Sequence, residues 1–450
     1  MTLVNEASAR YHKIVENEPY IDLGWAEALQ QRIKAEKLVN RPVSPVLRPH
    51  WLTRRDAAGL ERAALLILSA IHHVEQMVLA SPQLLARLQL LPAERMLATV
   101  DPRYSLEHFP GCLLASVYDG KLHFDGYRPT PPADVIYADR LADLYYEAAP
   151  VKEFRKKHKL SKLSSSKALL SAILKAYKAS GGKQKKPVMA IVEITAPFQP
   201  LDASENALVA AALRNDGLDV LLTSPDQLEY RNGELRCGET LVNIVFRCFR
   251  LQEFLVRFDL NHSLMRAYKE GAICMLNHFR ADISGKRGLF ELLTDPTVTA
   301  GLPASERKAI QDYLPWTRMV HSGKATHGKH TVDLIEHILK HRAKLVLRPN
   351  DVGSDLETFR GADLDDAGWE KAVKQATRNP YVVQEIADPA RAVFPLVQYG
   401  SLVMKDMQVE IHPHIFAGKL QSLSANLRVA GNGSFSTLSG QAPVMLLDGK

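Results

Sequence analysis

The chain has 450 residues, 46% of them hydrophobic and 24% charged, which excludes collagenous, low-complexity and globally disordered classes and suggests roughly three domains. The formal charge of +7 is local: positions 152–186 hold twelve Lys/Arg against one acid, Glu153, so the remainder is net acidic. A nucleic-acid-binding face would interleave such bases with stacking aromatics, whereas this run reads as a solvated connection, so nucleic acid is not an expected partner.

The first 95 residues read as helical, with Leu60, Ala64, Ile67, Leu68 and Ile71 at helical spacing and Pro82 and Pro92 as breaks. The most apolar stretch, 63–80, is interrupted by His72, His73, Glu75 and Gln76, so neither a membrane span nor a targeting segment is expected. Cys112, Cys237, Cys248 and Cys274 lack C-x-x-C spacing, which argues against a zinc knuckle and a disulfide framework and fits a reducing cytoplasm. Two apolar runs around Asp119-Gly120 predict a hairpin, followed by a proline-rich loop and a helix carrying Leu141 and Leu144. In the basic stretch Leu170, Ile173, Leu174 and Tyr177 share one helical face and Lys167, Lys175 and Lys178 the other. The reading is an amphipathic helix and an exposed linker, with membrane-surface or polyanion binding as the alternative, and with a domain boundary near Lys186.

From Val188 the rhythm becomes α/β. VMAIVEIT, LDVLLTS, NIVFRCF and ICMLN read as buried strands, and SENALVAAALRNDG as a helix ending at glycine, which predicts a mostly parallel sheet with crossover helices. Two shorter strands flank Asn232-Gly233. Ligands of such sheets lie beyond the carboxyl ends of the strands, here 195–206, 224–227 and 247–250. A third unit starts near Asp282 with a helix from Lys286, an apolar turn LPWTRMV, a strand KLVLRPND, a helix GWEKAVKQATR, a strand YVVQEI and a β-rich end at 393–447.

KLVLRPND followed some thirty residues later by YVVQEIADP places a cation at one strand end and Gln-Glu at the next, a phosphate contact beside an edge for adenine. On these strings, with NIVFRCFRLQEF, ISGKRGLFELLTD, LPWTRMV and the tail HIFAGKLQSLSANLRVAGNGSFSTLSGQAPVMLLD in the expected order, the chain resembles the ATP-grasp superfamily from about Phe109 onward. The similarity is to its circularly permuted form, related to the synthetase half of glutathionylspermidine synthase. The resemblance implies an α/β (α+β overall) fold with a helical N-terminal region (1–108), a hairpin, helix and basic linker contributing to the site (109–186), an open pre-ATP-grasp sheet (187–281) and an ATP-grasp nucleotide-binding unit (282–450). It also implies ATP and Mg²⁺ as cofactors. Arg348, Asn350, Asp351 and Lys286 would then serve the phosphates, and Gln384 and Glu385 the adenine. Arg428 would contact a phosphate or acyl phosphate, Arg247 or Arg250 would receive an anionic substrate, and Asp125 would bind the metal, with Asp406 and Glu410 as substitute ligands.

The sequence departs from that pattern at chemically important places. Arg348 stands where the family has lysine, only Gly353 remains of a glycine pair, and two of three magnesium ligands have no counterpart because Tyr127 cannot replace an asparagine and the first hairpin strand has no aspartate. Two readings follow. One is an ATP-dependent carboxylate-amine ligase that joins a small-molecule or peptide carboxylate to an amine through an acyl phosphate. The other is a degenerate relative that binds nucleotide or peptide without turnover and acts with a protein partner. The histidines form a competing site: His321, His327, His330, His337 and His341 cluster in sequence, and His412 and His414 alternate on a strand, a pattern that reads first as solvated surface. There is no G-x-S-x-G, Walker A string or G-x-G-x-x-G after a strand, so nucleophilic, P-loop and dinucleotide readings find no support.

Overall fold

The computed structural model describes residues 2–36, 46–102, 104, 111–118, 121–129, 132–194, 204–352, 354–386, 390–429 and 439–448. The tip Asp119-Gly120, most of 195–206, Gly353 and the glycine turn after Arg428 lie outside them.

The N-terminal apolar stretch forms one long helix, Arg54–Ala80, whose start is fixed by Thr53, the Oγ1 of which accepts from the Asp56 N–H at 3.0 Å. It is long and apolar enough by composition to cross a membrane. Its residues Ala57, Leu60, Ala64, Ile67, Leu68, Ile71, Val74 and Val78 are instead buried in the largest hydrophobic core. Facing it is a large sheet in which β1 (His50–Thr53), β21 (Ser439–Leu447), β20 (Lys419–Val429), β19 (Ser401–Phe416), β2 (Gly111–Tyr118) and β3 (Lys121–Arg128) lie in that order. Strand β18 (Arg391–Gln398) also pairs with β19, and β4 (Leu160–Ser161) with β21. Alternation along the strands sends Met407, Val409, Ile411 and Ile415 into the core with Leu423, Ala425 and Leu427. Glu410, His412 and His414 turn to the other side. Sequence-distant segments thus share one core, because β2–β3 pairs with a strand almost 300 residues later.

The predicted α/β region is a parallel sheet, β11 (Cys274–Leu276), β10 (Ile244–Cys248), β5 (Val188–Glu193) and β6 (Asp219–Thr223) in that order. Helices Ser166–Ala179 and Glu205–Asn215 cover one face and Leu251–Arg257 and Ser263–Lys269 the other, so its strands read as unbroken apolar runs. Beside it, β7 (Leu228–Arg231), β8 (Glu234–Cys237) and β9 (Thr240–Val242) form a meander. Its first turn is Asn232-Gly233, with φ values of 53° and 78°, as a tight two-residue hairpin requires.

The third sheet runs β12 (Thr317–Met319), β17 (Tyr381–Glu385), β15 (Leu345–Pro349), β16 (Phe359–Arg360), backed by helices Leu334–Lys340 and Asp366–Ala376. A small hairpin, β13 (Lys324–His327) and β14 (His330–Asp333), precedes the first of these helices. Three expectations change here. LPWTRMV is a strand, β12, whose three paired residues are too few to show a period. The helix from Lys286 is two short helices, Ala281–Ser284 and Gly288–Leu293, with Lys286 in the break, where its backbone bridges Asp351. The basic stretch has the expected amphipathic helix, Ser166–Ala179, and an exposed segment before β5, but Leu174 falls outside the buried face, and helix Ala149–Arg155 and β4 precede it.

Candidate functional site

Strand β3 reaches the third sheet through Asp125. Its carboxylate accepts from the Arg348 guanidinium at 2.8 Å, with both side chains largely buried, and its backbone carbonyl accepts from Gln384 Nε2 at 3.2 Å. The hairpin therefore meets the ends of β15 and β17 directly. Gln384 is buried, also donates to Thr317 Oγ1 at 3.1 Å, and keeps a buried Oε1 without a partner. Glu385, one residue on, points outward and accepts from His327 Nε2 at 2.8 Å.

Arg287 lies behind this contact. Its pKa is pushed down to about 9, by burial first and then by the neighbouring Arg348 and Arg128, with Asp125 and Asp351 opposing. Arg287 thus lies close enough to feel both members of the Arg348–Asp125 pair.

Next to these residues opens a cleft of about 490 Å³ lined by Arg128, Asp134, Arg247, Arg250, Asp282 and Lys286 among others. It lies beyond the carboxyl ends of β5 and β10, where β5 sends its connection to β6 on one side while β10 flanks it on the other, the switch point at which such sheets bind ligands. Arg247 is buried and anchored: it donates to Asp282 at 2.5 Å and to the carbonyls of Asn277 and Phe249. Burial raises the Asp282 pKa although Arg247 pulls against it. Arg250 bonds Glu253 at 2.9 Å and Asp355 at 3.0 Å. Lys286 is held by Glu94 at 2.9 Å and Asp351 at 3.2 Å; burial works against its charge, but Asp351 and Glu94 outweigh it and leave the pKa above its ordinary value.

Other expected residues take different places. Asn350 caps a helix, accepting from the Gly288 N–H at 2.8 Å and donating to the Leu88 carbonyl at 2.7 Å, so its amide is spent within the fold. Asp406 pairs with Arg391 on the exposed β18–β19 ladder and does not line the cleft. Glu410 is bound by Arg428 at 2.5 Å, a cross-strand pair between β19 and β20. His412 and His414, expected on the surface, are 8% and 2% exposed, and the His412 pKa falls to about 4 through burial first and then Arg128. His327, His337 and His341 do come together, with successive ring centroids 4.6 and 4.2 Å apart, on a partly exposed surface.

Residue reading missed Glu94, Arg128, Glu193, Asp282 and Arg287. Glu193 ends β5 opposite Cys248 and is 5% exposed; one oxygen accepts from Asn206 at 2.7 Å and the other is buried without a partner. Together with burial, it lifts the pKa of the Cys248 thiol. The strand-end rule would have found Glu193 had the window begun two residues earlier. Nothing in the sequence ties Glu94, on the N-terminal helix Pro92–Ala98, to Lys286.

A divalent cation does not fit these donors. Asp125 is neutralised by Arg348, Glu410 and Asp406 are each bound to an arginine, and among the described residues no three His, Cys, Asp or Glu side chains meet so as to hold a metal ion.

No protein-family model matches the sequence, and no curated protein matches it. Among solved structures, a glutathione synthetase-like effector from Globodera pallida, in its apo form, is similar over 96% of this chain and 98% of its own, with a TM-score of 0.61 at 13% identity. A protein described as a γ-glutamylcysteine synthetase from Methylobacillus flagellatus is similar over 86% of both chains (TM-score 0.44, 11% identity). The ATP-grasp ligase PsnB, solved with a minimal precursor, is similar over 59% of this chain and 89% of its own (TM-score 0.27, 11% identity). The chain thus shares the α/β fold of the glutathione synthetase-like effector along almost its whole length.

Proposed function

We propose that this chain is a ligand-binding relative of the ATP-grasp ligases that has lost phosphoryl transfer, and that its cleft takes a small molecule or peptide end bearing both an amine and a carboxylate. The observation that carries the first part is the Arg348–Asp125 ion pair. In the ligase reading Arg348 holds a phosphate and Asp125 a magnesium ion; here each neutralises the other. A phosphate would gain about 1.5 to 3 kcal/mol from a charge-assisted bond to Arg348. Evicting Asp125 would leave a largely buried carboxylate uncompensated at a cost of about 3 to 5 kcal/mol. The exchange is unfavourable unless a metal takes the carboxylate, and the positive charge of Arg348 and the nearby Arg287 opposes a metal.

The second part rests on the cleft. Arg250, 35% exposed at the wall, can exchange its contact with the 93% exposed Asp355 for a ligand carboxylate, and Glu193, just behind Asn206 and Cys248, offers an unfilled acceptor for an ammonium. An active carboxylate-amine ligase using ATP and Mg²⁺ remains the alternative to be tested. Release of ADP should be followed with Mg²⁺ across amino acids and small peptides, in parallel with calorimetric binding of the same compounds. Binding without ADP release is the expected outcome; ADP release that depends on one amine and one carboxylate would restore the ligase.

A further inference from the structure

We propose that the outer stripe of helix Ser166–Ala179 and the turn that follows it form a docking surface for an anionic phospholipid bilayer. Between Glu153 and Glu193 the chain has no acid, and positions 155–186 carry eleven Lys/Arg. The first of these bases are spent locally: Lys156 pairs with Glu153, Lys159 with Asp448, Lys162 with Asp143, and Arg155 stacks on the Tyr146 ring. The later ones are placed differently. Lys167, Ser171, Leu174, Lys175 and Lys178 follow helical spacing and are all exposed, while Leu169, Ala172, Ile173, Ala176 and Tyr177 are buried beneath them. Lys183, Lys185 and Lys186 extend the stripe through the turn, also exposed.

Asp219 is paired in register with Val188 at that edge, and against it the six lysines leave the patch positive. Its chemistry favours headgroups over nucleic acid. Every cation is a lysine, a point charge suited to a diffuse surface potential, and the stripe has no arginine fork and no outward aromatic on which a base could stack. Leu174, 39% exposed in the middle of the lysines, adds an apolar contact for the interface. Because β5 begins at Val188, the turn lies at the amino edge of the parallel sheet, opposite the cleft at its carboxyl edge. A bilayer docked there would leave the cleft open.

The test is co-sedimentation of the full chain with phosphatidylcholine vesicles containing phosphatidylserine, and with phosphatidylcholine alone, over a salt series. Binding only to the anionic vesicles, fading as salt rises, is expected. Combined Lys183→Gln, Lys185→Gln and Lys186→Gln, all exposed, should weaken it on the order of 100-fold, at roughly fivefold per lysine. Equal binding to both vesicles, binding that persists at high salt, an unaffected triple variant, or tighter binding to DNA than to the vesicles would each overturn the proposal.

Discussion

Asp125 is where the two readings of the chain separate. A metal ligand and the counter-ion of an arginine are both carboxylates, and only their neighbours distinguish them; here the neighbours are Arg348 at 2.8 Å and, further out, Arg287. Losing the counter-ion should be costly on the arginine side too. Arg348→Ala is predicted to destabilise the fold by about 3 to 5 kcal/mol, because it strands Asp125, whereas Lys344→Ala, on an exposed side chain, should stay within about 0.5 kcal/mol. Denaturant midpoints of the two variants would check this, and equal midpoints would count against the pair. Glu193→Gln keeps the shape and removes the charge. It should weaken an amine-bearing ligand by about tenfold and leave a ligand with only a carboxylate unchanged, as read by calorimetry.

At the scale of elements, the strands and helices were largely legible because their periods were unambiguous. The parallel strands read as apolar runs, the Asn232-Gly233 turn as a hairpin, and RPND and VVQE as the ends of β15 and β17, which the structure pairs side by side. What was not legible was closure between elements far apart in sequence. Glu94 sits on a short N-terminal helix that looked like packing, yet it accepts from Lys286, from Gln252 Nε2 at 2.5 Å and from the Leu91 N–H at 2.9 Å. No local pattern encodes such a contact. Glu94→Ala should cost about 3 to 5 kcal/mol by leaving Lys286 half-compensated in a buried place, measurable as a lowered urea midpoint; a change below about 1 kcal/mol would show the helix to be peripheral. His412 and His414 were misplaced for a related reason. Alternation put them on one face, but whether that face meets water depends on what packs against it.

Over the whole molecule, buried neutral histidines make stability depend on pH. His50 and His278 have pKa values near 3 and His412 near 4, against an ordinary 6.5, each lowered first by burial. Above pH 6.5 they are neutral folded or unfolded and cost nothing. As pH falls from there toward their folded values, the unfolded chain takes up protons that the fold refuses, and stability is lost. Glu75, raised to about 7 by burial, works the other way, as do Asp139, Asp282 and Glu291, each raised by burial, so the histidine share is read from the His412→Gln variant. The denaturant midpoint should therefore drop between neutral pH and about pH 5, by an amount that His412→Gln reduces. A flat profile would contradict this burial pattern.

The fold shared with the glutathione synthetase-like effector holds these parts together, and the proposed loss of phosphoryl transfer rests on one contact. Titrating ATP into the wild-type chain and into Asp125→Ala, each with and without Mg²⁺, tests that contact most directly. If Asp125 serves Arg348, wild-type binding is weak and does not tighten with Mg²⁺, and Asp125→Ala binds ATP more tightly because Arg348 is released to the phosphates. Tight, Mg²⁺-dependent binding by the wild type that Asp125→Ala abolishes would make Asp125 a metal ligand and contradict the account.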